Sequence, residues 1–269
     1  MTAFSRSEAL DRLESETFDV LVVGGGMTGT GIALDAATRG LSVALVERDD
    51  FASGTSSKSS KMVHGGLRYL QQGEYALVYE NLHERQRLLR NAPHLVAPLP
   101  FLIPLFGKDG MVSKTVARAY RTALWLYDVT GGLRIGKRHA KVSRSEVVSH
   151  FPTLDVSGLV AGFLYYDARG DDARVALTLA RSAADHGAAV ANYAEATSFH
   201  RDGSGRVTGA TVVARAPGQA DRSIEVSARV VVNAAGVWAD EVSWLAGGDA
   251  EATITPRCPP IGSPATSPR

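Results

Sequence analysis

The hydrophobic and polar positions near the start of the chain predict a strand, a helix and a second strand in succession. Residues 19–23 (DVLVV) form a short apolar run with β-branched side chains, which is typical of a buried parallel strand. The glycine-rich stretch GGGMTGTG follows, and IALDAATRG then has a helical pattern that ends at Gly40. The next apolar run, LSVALVE, predicts a strand that ends in Glu47. This order predicts an α/β fold.

Three glycines between the first strand and the helix have the spacing of a dinucleotide-binding turn. Gly24, Gly26 and Gly29 satisfy the pattern G-x-G-x-x-G. Gly24 permits a tight turn, Gly26 lets a pyrophosphate approach the backbone, and Gly29 lets the helix and strand pack closely. Phosphates would bind at the helix N-terminus, and Glu47 would accept hydrogen bonds from an adenosine ribose. The alternative is a glycine turn without a ligand, and the motif does not say which dinucleotide binds.

A polar loop after the second strand carries groups that suit phosphates and hydroxyls. Its hydroxyls belong to Thr55, Ser56, Ser57, Ser59 and Ser60, and its ammonium groups to Lys58 and Lys61. Such groups suit a diphosphate and a polyol chain, although a solvated polar loop has a similar composition. Gly65 and Gly66 lack side chains where a flat ring could lie against the backbone.

His64 and Arg68 are the candidate substrate groups of the same segment, SSKSSKMVHGGLRYLQQG. Histidine is a common general base, so His64 could accept a proton from a substrate hydroxyl while hydride leaves the adjacent carbon. Arg68 can bind a phosphate bidentately. The alternatives are a structural histidine and a surface salt bridge. The other six histidines show no metal-ligand spacing, so we predict no metal site.

The middle of the chain predicts two amphipathic helices. Residues 74–91 place Val78, Leu82 and Leu89 roughly on one face and the charges on the other. Residues 114–132 place four side chains on one apolar face: Val116, Tyr120, Ala123 and Tyr127. The basic residues Lys114, Arg118 and Arg121 lie elsewhere on the helix, which also carries Trp125. This second helix packs on a core or lies at a membrane surface.

The last third of the chain predicts a return to the main sheet. GDDARVALTLARSAADHG predicts a helix that ends at Gly187, and the segments from residue 188 onward predict strands of a β-meander. VVVNAAG ends in a turn of small residues, where Ala235 and Gly236 would let the backbone approach a cofactor. An ordinary strand–turn–helix junction is the alternative.

Several of these motifs, in this order, resemble the FAD-dependent glycerol-3-phosphate dehydrogenase family. The resemblance covers residues from about 18 to 245 and is carried by ERDDFASGTSSKSSKMVHGGLRYL, APHLVAPLPFLIPLF, YYDARGDDARVALTLA and VVVNAAGVWAD. It implies a discontinuous Rossmann-like FAD-binding domain with an inserted substrate-side α+β segment at roughly residues 75–170. It also implies oxidation of sn-glycerol 3-phosphate to dihydroxyacetone phosphate, with hydride passing to the flavin and electrons to a quinone.

The resemblance also implies roles for individual residues. His64, Arg68 and Tyr69 would face the substrate. The cofactor would contact Gly24, Gly26, Gly29, Glu47, Arg48, Thr55, Ser56, Ser57, Ser60, Lys61, Gly65, Gly66, Ala196, Ala235 and Gly236. HGGLRYL argues against a flavin amine oxidase. A glycerol-3-phosphate oxidase, another flavin oxidoreductase of the same fold and an inactive FAD-binding fragment stay open.

Composition limits the partners and the compartment. The 269 residues are 45% hydrophobic and 21% charged, as in ordinary globular proteins. A formal net charge of +1 gives no reason to expect nucleic acid. The single cysteine, Cys258, excludes an internal disulfide and indicates a reducing compartment. We therefore expect a cytoplasmic protein, with peripheral contact at the inner face of the cell membrane as a further option.

The chain is expected to have three segments: residues 1–17 as an N-terminal extension, residues 18–247 as an incomplete oxidoreductase domain, and residues 248–269 as a tail. Residues 256–269 hold five of the 11 prolines and no acid. Such a composition cannot continue a helix or a sheet. We expect a disordered or frame-shifted tail, and a truncated product with little or no dehydrogenase activity.

Overall fold

The computed structural model describes residues 4–66, 69, 72–107, 113–130, 135–215 and 220–248. The chain divides into two compact units. The first unit combines residues 1–59 with 172–269, and the second covers residues 60–171. Arg68 and all of the predicted tail except its first residue lie outside the described residues.

Strands and helices alternate along much of the described chain. The strands are β1 Thr17–Val23, β2 Val43–Val46, β3 Met62–Val63, β4 Val96–Phe106, β5 Ala140–Ser143, β6 Leu159–Gly170, β7 Ala189–Ala191, β8 Ala194–Arg201, β9 Val207–Ala214 and β10 Arg222–Asn233. The α-helices are α1 Arg6–Ser15, α2 Met27–Thr38, α3 Tyr75–Asn91, α4 Lys114–Thr130, α5 Arg144–His150, α6 Asp172–Asp185 and α7 Ala239–Leu245. Short 3₁₀ turns cover Thr55–Ser57 and Gly236–Trp238. None of these helices is both long enough and apolar enough to cross a membrane.

The first unit is built on a six-stranded sheet with the order β7-β2-β1-β10-β9-β8. The strands β7, β2, β1 and β10 pair in parallel, and β8 and β9 form an antiparallel meander with β10. The predicted β-α-β unit and the predicted return of the meander to the main sheet are both confirmed. A mixed sheet of this kind, with helices packed on it, is the predicted Rossmann-like arrangement.

The sheet of the first unit has apolar side chains on both faces. Alternate residues of the central strands point to opposite sides, as the pleat requires. One face packs against α1, whose Leu10 and Leu13 are buried with Leu21 of β1. The other face packs against alanines of α2 and α6, including Ala33 and Ala180. Helix α1, which lies in the predicted N-terminal extension, is therefore part of the core.

The second unit is built around β6. This strand pairs antiparallel with β4 along most of its length, and also with β3 and β5. Strand β4 contains three prolines, Pro98, Pro100 and Pro104, and among the described residues it pairs with β6 alone. Because the prolines are separated by even numbers of residues, their nitrogens face the same side of the strand, and other residues supply the N–H groups of the ladder.

Helix α3 departs from the predicted distribution of charge. Val78 and Leu82 are buried, as the sequence predicts, but Arg85 is only 1% exposed and lies on the same face. The prediction that the charges of this helix lie opposite its apolar face is therefore wrong at Arg85. The spacing i, i+4, i+7 puts these three residues in one stripe, and a buried carboxylate, Asp167, accounts for the buried guanidinium.

Candidate functional site

Three parallel strands of the first unit end beside one another and define the candidate site. Strand β1 lies between β2 and β10, with Val23 level with Val46 on one side and with Asn233 on the other. The Gly24 N–H donates to the Val46 carbonyl at 2.9 Å, so the ladder continues to the strand end. Open parallel sheets bind ligands at this carboxyl edge, because the connecting segments diverge there.

Gly24 and Gly29 allow α2 to begin close to these strand ends. Gly24 has a φ of +116°, and a Cβ at this position would lie 2.4 Å from the Ala234 carbonyl oxygen. A Cβ on Gly29 would lie 1.9 Å from the Gly24 carbonyl oxygen. Side chains at either position would therefore push α2 away from β1 and β10.

The N-terminus of α2 faces the loop that follows β2. Gly26 precedes the first helical residue, and the Met27 N–H donates to Ser56 Oγ at 2.8 Å. A Cβ on Gly26 would lie 3.1 Å from the same Ser56 oxygen. First-turn N–H groups and the helix dipole favour negative charge at such a terminus. The geometry suits a phosphate that approaches the backbone at Gly26.

Glu47 lies at the end of β2, and its carboxylate is fixed by two backbone N–H groups. The Gly25 N–H donates to Oε2 at 2.6 Å, and the Asp49 N–H donates to Oε1 at 2.9 Å. A carboxylate offers about four lone-pair sites. Glu47 can therefore hold the turn and still accept hydrogen bonds from the hydroxyls of a ribose.

Trp238 forms a wall of the site that the sequence does not predict. The Arg48 guanidinium lies 4.9 Å from the centroid of the Trp238 ring, and its Nη1 is 4.0 Å from a Glu241 carboxylate oxygen. A Cβ on Gly54 would lie 2.8 Å from the same ring. Trp238 is part of the motif VVVNAAGVW, where small residues alone predict backbone approach. The signal was the aromatic residue two positions after Gly236.

These groups line a cleft of about 440 Å³ within the first unit, inside the range of about 300–1,000 Å³ that is usual for small-molecule sites. The predicted cofactor-binding residues that line it are Gly24, Gly26, Glu47, Arg48, Thr55, Ser56, Ala196, Ala235 and Gly236. Other residues along it, which the sequence does not single out, include Met27, Gly54, Ala194, Glu195, Trp238 and Leu245. Gly29 instead packs against Gly24, and Ser57 Oγ donates to the Gly54 carbonyl at 3.3 Å.

Some hydroxyls of the polar loop serve the protein's own structure. Ser56 accepts the Met27 N–H, as described above. Ser59 Oγ donates to Asp172 Oδ2 at 2.5 Å, in the first turn of α6. The loop is therefore held to two helices of its own unit by serine side chains. Its composition reflects these contacts as well as any ligand.

The remaining predicted residues belong to the second unit: Ser60, Lys61, His64, Gly65, Gly66 and Tyr69. His64 follows β3 and is exposed. Lys61 Nζ is 3.8 Å from Asp171 Oδ1, so its ammonium already faces a carboxylate. The Tyr69 ring is partly buried and packs with Val78, Leu82 and Tyr127.

Gly65 and Gly66 are surrounded by side chains of their own unit. A Cβ on Gly65 would lie 2.3 Å from Leu82 Cδ2 and 2.7 Å from the Tyr127 hydroxyl. A Cβ on Gly66, whose φ is +76°, would lie 2.3 Å from the Tyr69 ring. The packing of the second unit thus requires both glycines, independently of any flat ring that lies against them.

Comparison with known proteins identifies the relatives. A family described as FAD dependent oxidoreductase matches residues 19–261, which extends beyond residue 245, where the motif resemblance ends. The chain is 48% identical over 242 residues to a glycerol-3-phosphate dehydrogenase of Mycobacterium leprae, covering 89% of this chain and 40% of the relative. It is 43% identical over 265 residues to the mitochondrial glycerol-3-phosphate dehydrogenase of Homo sapiens, covering 94% of this chain and 35% of the relative.

A solved structure shows the same fold. The glycerol-3-phosphate dehydrogenase of Bacillus halodurans, complexed with FAD, matches with a TM-score of 0.65 and 31% identity, over 90% of this chain and 38% of that chain. The chain thus spans between 35% and 40% of the length of these three relatives. These matches confirm the resemblance that the motifs carry and the Rossmann-like fold. The chain belongs to the FAD dependent oxidoreductase family.

Proposed function

We propose that the cleft of the first unit binds the adenosine diphosphate part of FAD. The observation that carries this proposal is the end of β1, where Gly24 and Gly26 lie against the N-terminus of α2 and Glu47 ends the next strand. The helix terminus favours the pyrophosphate, and Glu47 accepts the ribose hydroxyls. Family membership supports FAD rather than NAD(P), and the Bacillus halodurans relative was solved with FAD.

The remaining assignments rest on the family resemblance. Gly29 and Ser57 support the turn and the loop. Backbone groups at Ala196, Ala235 and Gly236 contact the cofactor. The loop assignments are Arg48, Thr55, Ser56, Ser60, Lys61, Gly65 and Gly66 for the cofactor, and His64, Arg68 and Tyr69 for the substrate.

The proposed reaction is the oxidation of sn-glycerol 3-phosphate to dihydroxyacetone phosphate. When bound, FAD supplies the acceptor for the hydride that leaves C2. His64 takes the proton of the C2 hydroxyl as the C=O bond forms. Arg68 binds the phosphate of the substrate through paired N–H donors. A quinone would be the final electron acceptor. The names of the relatives support this substrate, and the chain spans at most 40% of their length.

Cofactor binding is tested first. We expect the purified chain to show an oxidised-flavin absorption spectrum and to bind added FAD in calorimetric titration. Glu47→Gln should weaken binding, because a neutral amide replaces the charged acceptor. Glu80→Gln, on an exposed position of α3, is the matched control. A well-folded, colourless chain that binds NADH and not FAD would contradict the proposal.

Turnover is tested separately. The FAD-saturated chain is assayed with sn-glycerol 3-phosphate and an artificial electron acceptor, with and without oxygen. Reduction of the acceptor without oxygen consumption supports a dehydrogenase, whereas hydrogen peroxide formation supports an oxidase. FAD binding without either activity supports the alternative, an inactive FAD-binding fragment.

For location, we propose a cytoplasmic protein that contacts the inner face of the cell membrane through α4. Trp125 and Val129 are 57% and 55% exposed, and Arg118 and Arg121 are exposed on the same side of the helix. An exposed aromatic residue beside basic residues suits an anionic bilayer surface. Co-sedimentation with phosphatidylglycerol vesicles should weaken in Trp125→Ser. Equal binding to phosphatidylcholine vesicles would contradict an anionic surface as the partner.

A further inference from the structure

Three polar side chains are buried together in the second unit. Arg85 comes from α3, Tyr127 from α4 and Asp167 from β6, and each is at most 2% exposed. Arg85 Nη1 donates to Asp167 Oδ1 at 2.5 Å, and the Tyr127 hydroxyl donates to the same oxygen at 2.6 Å. The guanidinium also donates to the Tyr166 carbonyl at 3.2 Å.

The buried group is joined to the backbone beside His64. The Gly65 N–H donates to the Tyr127 hydroxyl oxygen at 3.0 Å and also to Asp167 Oδ1 at 3.3 Å. Strand β3 pairs with β6 as far as Val63, opposite Ala168, and Asp167 is the next residue on β6. Side chains therefore accept the N–H of Gly65, two residues after the end of the backbone ladder.

The direction of these hydrogen bonds is defined. Burial, and secondarily the charge of Asp167, raises the pKa of the Tyr127 hydroxyl well above its ordinary value. The hydroxyl therefore keeps its proton, donates it to Asp167 and accepts from Gly65 through a lone pair. The positive charge of Arg85 compensates the buried carboxylate. The Gly65 N–H is therefore linked through the Tyr127 hydroxyl to the buried Arg85–Asp167 ion pair, and α3, α4 and β6 each supply one of the three side chains.

Stability alone is a weak explanation for this group. A buried ion pair loses the hydration of both charges, and well-packed apolar side chains are often as stable or more so. Unlike apolar side chains, these polar groups accept a directional hydrogen bond from the backbone N–H of Gly65. That position is adjacent to His64, whose side chain is exposed.

We propose that Arg85, Asp167 and Tyr127 are positioning residues that fix the backbone at Gly65 and thereby orient the ring of His64. They act through the Gly65 N–H and not by contact with the substrate. The inference rests on the proposed function only where it gives His64 a part in proton transfer. The geometric claim concerns the chain itself, and it can be measured without substrate.

The test compares Tyr127→Phe with Tyr165→Phe in the full chain. Each variant removes one hydroxyl, and the two rings lie 6.1 Å apart in one aromatic contact. Amide hydrogen exchange is measured at residues 62–66 and at β1, and the His64 ring is observed by NMR. In Tyr127→Phe we expect exchange at Gly65 to rise roughly 2- to 10-fold, the effect of one lost hydrogen bond. We also expect the His64 ring signal to shift, with β1 unchanged.

The control and the outcomes separate positioning from core packing. Tyr165→Phe should leave Gly65 and His64 as they are, and Asp167→Asn should exceed Tyr127→Phe in its local effect. Faster exchange throughout the chain, or equal results for the two tyrosine variants, would overturn the inference. A chain that fails to bind FAD would contradict the proposed function, and the exchange and NMR readouts would still decide the positioning role.

Discussion

Alanine at Gly29 should weaken the first unit, whereas alanine at Gly31, two residues further along α2, should not. A Cβ at Gly29 would lie 1.9 Å from the Gly24 carbonyl oxygen, so the two atoms would have to separate by about 1.4 Å to reach an ordinary C···O contact of about 3.3 Å. The helix must then move away from β1. Forcing extra atoms into packed structure costs about 1–3 kcal/mol, and more where the backbone is the obstacle.

Gly31→Ala serves as the control that separates the cost of the clash at Gly29 from the other effects of alanine. A Cβ there meets nothing within 4 Å, so alanine brings only its better helix propensity, about 1 kcal/mol. The same gain accompanies Gly29→Ala, because both positions lie in α2. The difference between the two variants in free energy of unfolding is therefore the cost of the clash, about 1–3 kcal/mol.

The assay is urea denaturation of the flavin-free chain, followed by calorimetric titration with FAD. We expect Gly31→Ala to match or exceed the parent in stability, and Gly29→Ala to unfold at lower urea and to bind FAD more weakly. Equal unfolding midpoints and equal FAD affinities for the two variants would refute the argument that Gly29 sets the approach of α2 to the strand ends.

Three further predictions follow from the same structure. Gly65→Ala should lower the melting temperature of the flavin-free chain, because its Cβ would meet Leu82 and Tyr127. Gly26→Ala should mainly lower the FAD affinity measured by calorimetry, because its Cβ would first meet Ser56 Oγ, at 3.1 Å. Burial raises the pKa of Tyr165 to about 12, whereas tyrosine in the unfolded chain has a pKa of about 10. The free energy of unfolding should therefore fall as the pH rises from about 10 to about 12, because only the unfolded state loses this proton in that range. Urea unfolding of Tyr165→Phe should show a smaller fall. If the FAD-saturated chain turns over, His64→Ala should lower turnover roughly 10²–10⁴-fold with FAD binding retained, while exposed His186→Ala should not; unchanged turnover in His64→Ala would exclude it as the base.

The parts of the fold that the sequence predicts are those with local signals. The apolar run of residues 19–23, the glycine turn and the strand that ends at Glu47 each carry their own pattern, and the structure confirms their order. The helix itself begins at Met27, within the glycine-rich stretch, because Gly29 and Gly31 are tolerated inside α2. Sequence patterns define element types better than element ends.

The parts that the sequence does not predict depend on neighbours distant in the chain. Prolines at residues 98, 100 and 104 argue against a strand until the described part of the chain shows β4 pairing with β6 on one side and with no other strand. Arg85 is assigned to a solvated face because the sequence does not show that Asp167 and Tyr127 will be buried beside it. Trp238 becomes a wall of the cleft only when Gly54 and Arg48 are brought to it by the loop after β2.

Gly26 of the first glycine motif and the pair Gly65 and Gly66 meet different physical requirements, although the sequence predicts that a ligand approaches the backbone at each of them. At Gly26 the space of the missing side chain opens toward a cleft, and the N-terminus of α2 lies beside it. At Gly65 and Gly66 the corresponding space is filled by Leu82, Tyr127 and Tyr69. A glycine-rich motif therefore shows where side chains are absent, but it does not predict whether a ligand or the protein itself fills the space. At Gly26 a ligand can take that space, whereas at Gly65 and Gly66 side chains of the second unit already fill it.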